Sequence, residues 1–116
     1  MTDNVLIVLS EPVEGADDAY NDWYSNTHLA EVVALPGFVA ARRFRLTGAQ
    51  IPGFAESSHP YVAIYEIEGD PGEAFDALVA EMESGSIVLP DSIEQATISP
   101  WSFEAISERV VATGVS

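Results

Sequence analysis

The sequence predicts an α+β domain of the ferredoxin-like type, βαββαβ, a four-stranded antiparallel sheet with two helices on one face. Three observations predict it. The 116 residues leave room for one domain, spanning 1–116. Hydrophobic residues make up 47% and charged residues 20%, enough to bury a core and too apolar for a disordered chain. Four short strand-like runs are interrupted by two stretches of helical period, in the order this architecture requires.

The run Val5–Leu9 is short, apolar and β-branched, which predicts a first strand buried on both faces. Glu11–Gly15 supplies a turn, and the period then changes. Over Ala16–Leu35, a regular helix puts Tyr20, Trp23, Tyr24, Thr27, Ala30, Glu31 and Ala34 on one face, with Asp18, Asp22, Ser25 and Leu29 away from it. Asp17 and Asp18 complement the helix dipole and cap its free amides, and Pro36-Gly37 ends the helix. Phe38–Leu46 alternates as a second strand, with Phe38, Arg42 and Phe44 on one side and Arg43 and Arg45 on the other.

Thr47–Pro60 contains Gly48, Pro52 and Gly53 and has no period, so it is expected to form a lid over a pocket. Tyr61–Ile67 is the third strand. Asp70-Pro71-Gly72-Glu73 then provides an N-cap, a proline at N1 and a glutamate at N3, ahead of the stripe Phe75, Leu78, Val79 and Met82 that ends at Gly85. Ile87–Ile98 reads as a loop with at most one short helical turn. Over Ser99–Val110, Trp101, Phe103 and Ala105 alternate with Ser102, Glu104 and Ile106, a fourth strand with a frayed tail. Helices on one face leave the other, rich in valine, isoleucine and aromatics, in need of cover, and a second copy of the chain is expected to supply it.

Four basic residues against nineteen acidic ones give a net charge of −15, with no lysine at all. A surface for phosphate backbones or anionic lipid is thereby excluded, so neither nucleic acid nor membrane is an expected partner. The absence of cysteine excludes thiolate catalysis, zinc fingers and iron–sulfur clusters. Met1–Asn4 has no basic leader region, and the apolar run after it is too short for a secretory signal, so a cytoplasmic location is expected. No phosphate-cradling glycine loop, nucleophile elbow or dinucleotide fingerprint occurs, and no bound cofactor is expected. His28 and Glu31 have the i, i+3 spacing of a ligand pair, but no second pair accompanies them and no metal is expected.

The segment from Tyr20 through Trp23-Tyr24 to His28-Leu29, followed by Leu35-Pro36-Gly37-Phe38 and Arg42-Arg43-Phe44, resembles the dimeric α/β-barrel superfamily, nearest its EthD-like and NIPSNAP-like members. The resemblance is carried by Val5–Leu46 and is architectural beyond it. It implies a homodimer with a pocket in each subunit between sheet and helices. The superfamily includes polyketide cyclases, hydroxynitrile lyases, dehydratases, quinol monooxygenases and haem-degrading enzymes, so it implies fold more sharply than reaction.

One of two histidines, His28 is the side chain best suited to proton transfer near neutral pH, and it sits at the margin of the aromatic helix face. Its ordinary alternative is a structural histidine that orients the helix exit. Tyr20, Trp23 and Tyr24 offer an aromatic wall with two hydroxyls, or simply core. Tyr61 and Tyr65 share one strand face, turned either to the helices or to a dimer partner. Arg43 can hold an anion in a bidentate fork, although pairing with surface carboxylates is the commoner fate of arginine in so acidic a chain. His59 can join His28 only if its loop folds over the pocket.

The function these residues predict is a cofactor-free acid/base enzyme, a lyase, dehydratase, cyclase or isomerase acting on a small aromatic or polyketide-like molecule. His28 is the expected general acid or base and Tyr24 the group that polarises an oxygen. Tyr20, Trp23, Phe44, Arg43, His59, Tyr61 and Tyr65 are expected to bind substrate. A cofactor-independent quinol oxygenase and a non-enzymatic dimeric binder of a hydrophobic molecule are the rival readings.

Overall fold

The structure, a computed structural model, describes residues 3–114. It contains β1 (Asn4–Ser10), α1 (Asp17–Trp23), α2 (Leu29–Val33), β2 (Phe38–Arg45), β3 (Tyr61–Ile67), α3 (Pro71–Ser84) and β4 (Ser99–Glu104). The strands form one antiparallel sheet in the order β2-β3-β1-β4, the expected ferredoxin-like arrangement. None of the described helices is long and apolar enough to cross a membrane.

A π-helical turn over Tyr24–His28 joins α1 to α2, so the first helix is continuous but not regular. This corrects the predicted face. Tyr20, Tyr24, His28 and Val32 are buried and Leu29 packs on the core, whereas Thr27, Ala30 and Ala34 are exposed. Steps of four residues overshoot a regular helical turn by about 40° each, enough to carry Val32 away from the side of Tyr20. The wider π turn absorbs that drift and keeps the four on one side. Asp17 and Asp18 lie in the first turn, but the N-cap residue is Ala16, with no side-chain cap.

At the other end of this helix, Gly37 adopts φ +92°, and a Cβ there would stand 2.9 Å from the Ala74 Cβ of α3. The glycine therefore lets the helix exit and α3 touch. In α3 the expected signals hold: Asp70 caps through the Gly72 amide, Pro71 occupies the first turn and Gly85 closes with φ 84°. The 3₁₀ turn Gln95–Thr97 is the short helical turn anticipated in the loop before β4.

The two sheet faces differ sharply. Leu6, Ala63, Tyr65 and Ile67 point to the helices and form the core with Tyr20, Val32 and Phe38. A register shift between Phe38 and Ala40 puts an extra residue in β2. Simple alternation placed Phe38 and Phe44 together, but the bulge turns Phe38 inward while Phe44 faces outward opposite Val62. On that outer face Ile7 pairs with Ile64 and Trp101, and Val5 with Phe103. The rings of Phe44, Trp101 and Phe103 stay about half exposed, and in β1 only the inward Leu6 and Ser10 are fully buried. The fourth strand ends at Glu104, earlier than expected, and the segment 105–114 is exposed.

Candidate functional site

A cavity of about 260 Å³ lies between the inner sheet face, the π turn and α3. Leu6, Val8 and Tyr65 come from the sheet, Trp23, Tyr24, His28 and Val32 from the first helix. Leu78, Val79 and Met82 of α3 face them, and Ile93, Ile98 and Pro100 close one end. Val79 and Met82 line the cavity while remaining exposed, so its mouth runs along α3. The expected lid, Thr47–Pro60, contributes no lining residue. A larger open groove of about 1120 Å³ lies apart from His28, between Val39, Glu66 and the segment 105–109, and it has no histidine.

His28 is held on three sides. Its ring stacks on Trp23 with centroids 4.6 Å apart and meets Tyr24 edge-on at 5.3 Å. Nδ1 faces Glu31 Oε1 at 3.4 Å, one helical turn on. A carboxylate only accepts, so the proton of the neutral ring belongs on Nδ1 and the lone pair on Nε2. Burial pulls the His28 pKa below its ordinary value and Glu31 opposes that pull without cancelling it. The result is a neutral imidazole near pH 7 in the wall of the cavity.

The second polar group is a pair of tyrosines. Tyr24 and Tyr65 both line the cavity, and both phenols are pushed up by burial, Tyr24 to about 12, so each stays protonated near neutral pH. Tyr24 keeps its own proton to give. Tyr61 and Tyr65 thus look to the helices, the alternative the alternation left open.

Next to the cavity, Tyr20 is fully buried, with its hydroxyl 2.6 Å from Ser10 Oγ. Arg43 packs over the rings of Tyr20, Tyr24 and Tyr61, and its Nη atoms donate to Asn21 Oδ1 and Ser25 Oγ at 2.9 Å. Tyr61 donates to Asp17 Oδ2 and accepts from Asn21. These three residues adjoin the site behind its tyrosine wall.

Two expected site residues are elsewhere. Phe44 stands on the outer sheet face, because the β2 bulge fixes it there. His59 Nε2 donates to the Thr97 carbonyl at 3.0 Å and its Nδ1 accepts from Ser58, so it ties its loop to the 3₁₀ turn. The role of Glu31 in orienting His28 was legible only as a metal-pair spacing, and among the described residues no three ligands gather around a metal position. The lining from α3 was missed, since its stripe reads equally as core.

The chain is thus a domain of ferredoxin-like fold, with an apolar cavity between its antiparallel sheet and helices and with one histidine and two tyrosines in the cavity wall. The fold is EthD-like: the chain is similar to the crystal structure of an EthD family protein from Bacillus halodurans, with a TM-score of 0.55 and 15% identity over 91% of this chain and all of that one. No protein-family model and no curated protein matches the sequence.

Proposed function

We propose that the cavity binds a small carbonyl compound and transfers a proton at the carbon beside the carbonyl. The observation that carries this reading is the pairing of opposite roles in one apolar wall. His28 offers a lone pair on Nε2, and Tyr24, kept protonated by burial, offers a proton. A base that takes a C–H proton and a donor that meets the oxygen on which charge develops are together what enolisation requires. Lyase, dehydratase, cyclase and isomerase reactions on polyketide-like substrates share that first step. A cavity of about 260 Å³ sits just below the usual range for drug-sized ligands, roughly 300–1,000 Å³, and suits a single ring or short chain.

The test is deuterium uptake from D2O by a panel of cyclic and open 1,3-diketones, followed by proton NMR with and without the protein. Catalysed uptake by one member supports the reading. Saturable binding of the panel with no catalysed uptake contradicts it and favours a binder.

The same reading covers the outer sheet face with a second copy of the chain. Ile7, Ile64, Phe44, Trp101 and Phe103 make it apolar, and its charges, Arg42 on β2 and Glu66 on β3, are opposite. A twofold axis can set such a face against itself, which suits a homodimer despite the overall charge.

A further inference from the structure

Of the four arginines, Arg42, Arg45 and Arg109 are exposed, and Arg43 alone is drawn inward. Its guanidinium carbon lies 4.5 Å from the centroid of the Tyr24 ring, 5.1 Å from Tyr20 and 5.4 Å from Tyr61. Nε is buried without a hydrogen-bond partner, and the Nη atoms meet only neutral oxygens, on Asn21 and Ser25. Among the described residues no carboxylate pairs with this arginine, in a chain that has nineteen, and Asp17 bonds the Tyr61 hydroxyl instead. An inward cation left without a counter-charge is costly, and its field is directed at the rings it covers.

Tyr24 connects that cation to the cavity, because its ring lies against Arg43 and it also lines the cavity wall. We propose that Tyr24, backed by Arg43, is an oxyanion subsite, which selects ligands carrying an acidic oxygen, a phenol or an enol, and binds them as the anion. The proposal rests on the proton-transfer reading for the orientation of substrate at Tyr24, and it names the substrate class. The groups around Tyr24 agree with it. Its own helix presents Tyr20 and His28, with Glu31 beyond, β2 presents Arg43 and β3 presents Tyr65 and Tyr61. The lining side chains from α3 and from Ile93 to Pro100 are apolar. Arg43 thus supplies a positive charge against Tyr24, and Glu31 a negative one beside His28. Burial holds Tyr24 up to about 12, which keeps it protonated and able to donate.

The experiment compares p-nitrophenol with p-nitroanisole, its neutral counterpart, titrated into the intact protein at pH values on both sides of the phenol's own pKa. The phenolate absorption band reports the ionisation state of the bound probe. In the wild type the phenolate is expected to bind about tenfold or more tighter than the anisole, with the bound phenol ionising about one pH unit lower than in water. Arg43→Met is expected to remove about tenfold of that preference, Arg43→Lys to retain most of it, and Tyr24→Phe to abolish it. Equal binding of the two probes by the wild type overturns the proposal, as does an undiminished phenolate preference in folded Arg43→Met. Should Arg43→Met not fold, the wild-type comparison and Arg43→Lys decide. Phenolate preference without diketone exchange leaves the subsite standing and removes the proton-transfer reading, and exchange without the preference does the reverse.

Discussion

The imidazole of His28 lies against the indole of Trp23, with centroids 4.6 Å apart and an angle of 21° between the planes. Two such flat groups exclude water from one side of the ring, and Glu31 fixes its rotation. Burial then outweighs the carboxylate and favours the neutral form. His28 should therefore titrate below its ordinary value of 6.5 in an NMR pH series of its ring protons. The unfolded chain binds this proton at a higher pH than the folded one, so the contribution to stability is complete above about pH 6.5 and declines as pH falls toward the folded pKa. Melting temperatures measured between about pH 7.5 and 5.5 should fall, and His28→Gln should flatten the slope.

Gly37→Ala should destabilise by about 2 kcal/mol or more, since it joins a left-handed backbone to a methyl that meets Ala74. Gly48→Ala, with open space at its Cβ position and an ordinary φ, should stay within about 0.5 kcal/mol of the wild type. Thermal unfolding of both variants checks the contrast.

Light scattering should give twice the chain mass of 12.4 kDa at micromolar concentration. Trp101→Asp, which buries a charge in any interface on the outer sheet face, should return it to the monomer mass. A compact wild-type monomer would contradict the paired sheets.

The fold was legible because each element carries a local signal: the Val5–Leu9 run, the Asp70-Pro71 start, the Gly85 stop and the break at Pro36-Gly37. Two of the departures from expectation came from breaks in ideal period. The π turn shifts Thr27, Ala30 and Leu29 from their predicted sides, and the β2 bulge sends Phe44 away from the cavity. Neither leaves a mark in composition. His28, Tyr24 and Trp23, which line the cavity, stood out in the sequence because each carries its own chemistry at helical spacing. The α3 wall did not, because Leu78, Val79 and Met82 form the same stripe whether a helix seals a core or borders a cavity.

Among all these expectations, the one closest to the central claim is the effect of His28→Ala on deuterium uptake by the best diketone of the panel. Both proteins should be measured at neutral pH on preparations whose melting temperatures are recorded alongside. Loss of a general base lowers the rate by roughly 10²–10⁴-fold, while loss of a side chain of this size from a cavity wall costs about 1–2 kcal/mol of stability. The expected variant is folded, and its catalysed uptake is lower by at least about a hundredfold. A folded variant that exchanges the diketone at the wild-type rate would contradict that claim.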